Sequence, residues 1–245
     1  REVDEVEETV AANTLGTIVH DTLEIFYKPF EGQKLSLDVL NEMKEKINNE
    51  VEKQFIKTFY GGDYKKGKNL IIFEVAKQFV LNFLNFEIDQ LKKGNEIKIL
   101  SIESDLAVPL PILGLDFPIN IRGKVDRIDE FNGTIRIIDY KTGIVEPGNL
   151  EISNWENIIS DYKYSKIIQV LAYALMTNNK LPNNNMEAGI ISFKRLKKGF
   201  MKFGLKGKPK QTIITIDILA EFTVELKDLI LEIFNKEIPF IEKEV

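Results

Sequence analysis

Apolar residues recur with a helical period over the first third of the chain and alternate with polar ones through its middle. Leu15, Ile18, Val19, Thr22, Leu23 and Phe26 line one face of a first helix, with Asn13 or Thr14 as its N-cap and Pro29 and Gly32 as its stop. A second helix is predicted over 36–58, capped by Ser36, with Leu40, Met43, Ile47, Val51 and Phe55 as its inward stripe. After a loop at 61–68, a third helix is expected over 69–93, ending at Gly94. The period then changes to two. Strands are predicted over 97–107, 117–129 and 134–141, and again over 187–195 and 211–218. Helices are expected over 161–178 and 220–235, with a break at 181–185.

Helices, then a β-meander, then a helix and further strands predict a mixed α/β sheet flanked by helices. The expected division is a single domain over 1–245, with a helical region at 1–95, an α/β core at 96–218 and a C-terminal helix at 219–245. No internal repeat or low-complexity segment interrupts it.

Composition narrows the chemistry. The 245 residues are 44% hydrophobic and 29% charged, a balance that excludes a disordered chain. With no Cys, neither disulfides nor iron–sulfur clusters nor Cys-ligated zinc can form in this segment. No apolar run reaches the roughly 18 residues of a transmembrane helix, and no signal peptide opens the chain, so a cytoplasmic domain is expected. The start at Arg1, without Met, is expected of the C-terminal part of a longer protein. The net charge of −5 argues against a polyanion partner on average, but acids crowd residues 2–8 and cations crowd 194–210. That basic stretch (Lys194, Arg195, Lys197, Lys198, Lys202, Lys206, Lys208 and Lys210) reads either as a solvated loop or as a backbone-holding patch for nucleic acid, with Phe200 and Phe203 placed to stack bases.

The densest chemistry lies in the segment 123–141. Asn132-Gly133 is a strong signal for a two-residue type I′ hairpin. Counting outward from that turn sets Asp126 opposite Asp139, with Lys141 on the same face two residues on. Facing carboxylates repel, and a cation between them would remove the conflict. Oxygen ligands suit Mg²⁺ or Mn²⁺. Ile135, Ile137 and Ile138 make the strand around Asp139 an apolar one, where an unpartnered carboxylate is costly. Asp129 should face the other way and form an ordinary cross-strand ion pair with Arg136.

Gly123-x-x-Asp126-Arg127-Ile128-Asp129, Ile138-Asp139-Tyr140-Lys141-Thr142 and Gln169-x-x-x-Tyr173, in that order, resemble the PD-(D/E)XK nuclease superfamily, and within it the RecB/AddB/Cas4-type branch. Gly16-x-x-x-His20 resembles that branch's upstream histidine motif. The resemblance implies a restriction-endonuclease-like core and metal-dependent DNA hydrolysis. It makes Asp126, Asp139 and Lys141 catalytic. His20, Asp126, Asp139 and the Tyr140 carbonyl become the metal ligands, and Gln169 and Tyr173 lie beside the DNA path; Lys166, one turn earlier on the same helix face by spacing, is read as DNA-binding with them. It further implies DNA as partner, and a helicase module in the same chain or in a partner subunit, acting in double-strand break repair. A weakly catalytic DNA- or partner-binding module, or a stand-alone Cas4-like nuclease, is the alternative.

Two features stand apart. Glu103 lies on the first strand, where related nucleases often carry an acid; it either supports the site or is an exposed edge-strand charge. The segment 62–69 nearly matches a P-loop, but Asn69 replaces the hydroxyl residue and a helix precedes it, so no nucleotide site is expected here.

Overall fold

The helical period of the first third forms three long helices: α1 (Glu2–Tyr27), α2 (Leu37–Thr58) and α3 (Gly67–Lys92). The computed structural model describes residues 2–58, 65–182 and 185–240, and their side chains from residue 13 onward. α1 runs through Asn13 and Thr14, the expected cap positions, because no Gly or Pro upstream breaks it; the Asn13 carbonyl accepts from the Thr17 hydroxyl at 3.2 Å. Ser36 does cap α2, accepting from the Val39 N–H at 3.3 Å. Part of the loop at 61–68, and with it part of the near-P-loop, lies outside the described residues, as does part of the break at 181–185.

The middle of the chain supplies β1 (Ile97–Pro109), β2 (Asn120–Phe131) and β3 (Thr134–Lys141), then β4 (Glu151–Ile152), α4 (Ser165–Lys180), β5 (Met186–Ser192), β6 (Met201–Lys202), β7 (Gly204–Leu205) and α5 (Ile216–Phe234). The main sheet has the order β1-β2-β3-β5-β6. It is antiparallel except where β3 pairs with β5 in parallel across the α4 crossover. β4 and β7 form a separate two-stranded pair.

Two expected elements differ. The 211–218 strand reduces to single bridges at Gln211 and Ile214. The Thr215 hydroxyl then accepts from the Ile218 N–H at 3.3 Å and opens α5 before 220, so a cap outweighs the strand preference of the β-branched residues around it. The predicted strand 187–195 ends at Ser192 and tightens into a 3₁₀ turn over Phe193–Lys198.

Each face of the sheet has its own core. α1, α2 and α3 cover Ile99, Ile102, Ile138, Tyr140 and Ile191, while α4 and α5 cover Leu106, Val125, Ile128, Ile137, Ala188 and Ile190. Ile102 and Leu106 lie an even number of residues apart on β1, yet they enter opposite cores. Between them Glu103 adopts φ 52°, the left-handed region that non-glycine residues rarely visit, and the strand turns over there.

Candidate active site

The hairpin sets the geometry. Asn132 (φ 50°) and Gly133 (φ 85°) both take the left-handed conformation of a type I′ turn. The ladder runs from Phe131↔Thr134 to Arg127↔Ile138 in the register the turn predicts. It stops one pair short of Asp126 and Asp139. There the Tyr140 N–H donates to the Asp126 carboxylate at 2.6 Å instead of to a backbone carbonyl. Asp126 and Asp139 therefore do not form a laddered pair: β2 turns over opposite Glu103, and the two strands part at the point where the acids emerge.

His20, from α1, meets this opening. Its Nε2 is 3.1 Å from the Tyr140 carbonyl oxygen and its Nδ1 is 3.5 Å from Asp126 Oδ1. Both neighbours are acceptors, and a neutral imidazole carries one N–H. The second contact is satisfied only by another proton or by a cation. Accordingly, although burial pulls the His20 pKa down, Asp126, Glu103 and Asp139 together hold it above its ordinary 6.5.

Glu103 completes the cluster. One ligand atom from each of His20, Glu103 and Asp126 lies within 4.8 Å of the others, a spacing that fits one divalent cation with mixed nitrogen and oxygen donors. Its side chain is 11% exposed and 2.7 Å from Lys124 Nζ, so the expectation of a free edge charge is overturned by the left-handed kink that turns the carboxylate inward. Burial and the neighbouring Asp126 push its carboxyl up; Lys124 opposes them.

Asp139 stands beside this cluster rather than within it. Its Oδ1 accepts from Gln169 Nε2 at 3.0 Å, and its Oδ2 lies 2.9 Å from Lys141 Nζ. Burial, then repulsion from Asp126, push its carboxyl up to about 6 against the pull of Lys141. The set of ligand atoms brought together is thus His20, Glu103 and Asp126, with Asp139, Lys141 and the Tyr140 carbonyl at its border.

α4 presents Gln169 and Tyr173 one turn apart, and Gln169 Nε2 also donates to the Tyr173 hydroxyl at 3.0 Å. Lys166 sits a turn earlier, half-buried and without an ion pair among the described residues. α4 approaches β2 closely: a Cβ on Gly123 would lie 3.0 Å from Met176 Cε and 3.2 Å from Tyr173 Cε1.

Behind the site lies a buried ionic group that the sequence reading reduced to one cross-strand pair. Asp129 does bind Arg136, at 2.8 and 2.7 Å, but it also binds Arg127, at 2.8 and 2.6 Å, and all three are buried. Arg127 is fully buried and reaches Glu87 of α3 at 2.8 Å and the Tyr140 hydroxyl at 3.4 Å. The Tyr27 hydroxyl of α1 donates to Glu87. The signal for Glu87 was present: an acid on the apolar face of α3, beside Phe83, Leu84 and Ile88.

The basic stretch is less available than its sequence suggests. Arg195 pairs with Glu146, Lys202 with Glu187, and Lys206 and Lys210 with Glu151. Phe203 is fully buried and cannot stack on a base, while Phe200 lies against the Arg136 guanidinium.

The chain belongs to the PD-(D/E)XK nuclease superfamily, whose family model matches residues 1–244. Its five-stranded mixed sheet between two helical layers is the restriction-endonuclease-like arrangement of that class. The chain is also 30% identical, over 148 residues, to an uncharacterised protein of Rickettsia conorii; the match covers 59% of this chain and 16% of that protein. A nuclease-type function follows from the family, with nucleic acid as the class of substrate and a divalent cation as its typical cofactor. No helix among the described residues is long and apolar enough to cross a membrane.

Proposed function

We propose that this chain is a Mg²⁺- or Mn²⁺-dependent deoxyribonuclease domain of the RecB/AddB/Cas4 type, acting as an exonuclease at the C-terminal end of a longer helicase–nuclease in double-strand break repair. The observation that carries this reading is the meeting of His20, Glu103 and Asp126, from three separate elements, beside the Asp139–Lys141 ion pair. No structural need brings three such groups together at a point where two strands part. His20, Glu103 and Asp126 would hold the cation, with Asp139 and the Tyr140 carbonyl at its edge. When bound, the ion supplies an acidified water and a counter-charge for the phosphate.

The chain's own groups do the rest. Lys141 places a positive charge beside the attacking water and the phosphate oxygens, where negative charge grows in the transition state. Gln169 fixes Asp139, and Tyr173 fixes Gln169, so the carboxylate is already oriented when substrate arrives. The Tyr140 peptide holds Asp126 through its N–H and His20 through its carbonyl.

The purified domain is expected to degrade linear or single-stranded DNA with Mg²⁺ or Mn²⁺ and to stop in EDTA. Asp126→Ala, Asp139→Ala and Lys141→Ala should each lower the rate by about a hundredfold or more, with the circular dichroism spectrum unchanged. Metal-dependent cleavage that survives all three changes would overturn the proposal. DNA binding without any metal-dependent cleavage would favour a binding module instead.

A further inference from the structure

Lys124 is the only cation contacting Glu103 among the described residues, at 2.7 Å. Its side chain is 50% exposed, so the pair is weak and readily exchanged. Glu103 is also one of the grouped ligand atoms, and a carboxylate cannot fully serve a lysine and a divalent ion at once. Lys124 further lines a groove of about 490 Å³ with Asp105, Leu106, Ala107, Arg122 and Gly123. Arg122 is exposed there and has no ion pair among the described residues. Asp105 is the one acid in that lining, and nearby Glu24 is held by Lys28 at 3.0 Å.

Building on the nuclease reading, we propose that Lys124 has two successive partners: it neutralises Glu103 before the metal arrives, and once the ion takes that carboxylate its ammonium contacts a phosphate of the DNA strand lying along the Arg122 groove. Lys141, paired with Asp139, serves the reacting phosphate instead, and it is not among the residues that line the Arg122 groove. The exchange keeps charge balanced: the ion replaces the lysine on Glu103, and a phosphate replaces Glu103 on the lysine. It also makes metal and DNA binding mutually supportive, since each removes the other's competitor.

The test uses Lys124→Met, which keeps the apolar stem and removes the charge. Titration calorimetry with Mn²⁺ alone should give a severalfold tighter affinity for Lys124→Met than for wild type, and no such gain in a Glu103→Gln background. Binding of a short fluorescein-labelled single-stranded DNA, in a Lys141→Met background with Mn²⁺ present, should weaken. Its log affinity against log salt should lose about 0.7 in slope, the share of one phosphate contact. Unchanged Mn²⁺ affinity, or an unchanged salt slope, overturns the assignment of Lys124 while leaving the nuclease reading intact. A wild-type chain that neither binds Mn²⁺ nor cleaves DNA overturns both. Matching thermal melts of Lys124→Met and wild type show that the fold is retained.

Discussion

Asp139 is 3% exposed, with a second acid nearby, and its carboxyl is pushed up to about 6. A group whose folded pKa lies above its unfolded one binds more protons when folded, so it lowers stability as pH rises. Below its ordinary 3.8 it is protonated in both states and costs nothing; by pH 6 to 7 the full cost is present. On the shift from 3.8 to about 6, that cost is about 3 kcal/mol in metal-free protein. Asp139→Asn keeps the Gln169 contact and removes the charge. In EDTA at pH 7.5 it should therefore melt higher than wild type, and the difference should close as pH falls toward 4. Thermal scans across that range, with and without Mn²⁺, measure both effects; a lower melting point for Asp139→Asn at neutral pH would show that the buried charge is not a burden. His20 has the same sign, since its folded pKa is also raised and the stability it contributes is lost as pH rises. Its raised pKa favours the protonated form at low pH, and the neutral ring needed for a metal ligand gains as pH rises.

At the scale of elements, α4 and β2 touch where Gly123 leaves room for Tyr173 and Met176. Gly123→Ala would press a methyl group against both. Overpacking of this kind costs about 1–3 kcal/mol, and the easiest relief is a shift of Tyr173, which carries Gln169 with it. Gly123→Ala is thus expected to fold but to lose cleavage rate more than DNA affinity, a split that single-turnover kinetics can measure. A loss of DNA affinity with the saturating single-turnover rate unchanged would place Tyr173 on the binding side alone. The sequence made Gly123 conspicuous through its motif, and the α4 face through its spacing. It could not reveal that the two meet, because the contact joins residues some fifty positions apart across a crossover.

In the whole molecule, Arg127 ties the helical layer to the sheet through Glu87, and through Glu87 to Tyr27 on the helix that carries His20. Glu87 and Asp129 balance Arg127 and Arg136. Burial alone would push Asp129 up, but the two arginines hold its carboxyl below the usual range. Its stabilising share is therefore present above pH 4 and is lost only in stronger acid. Arg127→Met leaves two buried acids facing one arginine. The expected loss is about 3–5 kcal/mol, or about 10 °C in melting temperature for a chain of this size, measurable by calorimetry. A loss of under 2 °C would mean the group is solvated rather than buried.

What the sequence determined by itself is whatever depends on near neighbours along the chain: the stripes of the first two helices, the type I′ turn, the hairpin register, and the placing of Lys141 on the face of Asp139 two residues away. Tertiary structure alone decided that the ladder opens before Asp126, that Glu103 rather than Asp139 joins His20 and Asp126, and that Glu87 reaches Arg127. Those outcomes depend on one left-handed residue that turns a strand over and on helices closing from distant positions. Periodicity is a local property, and neither of these is written in it.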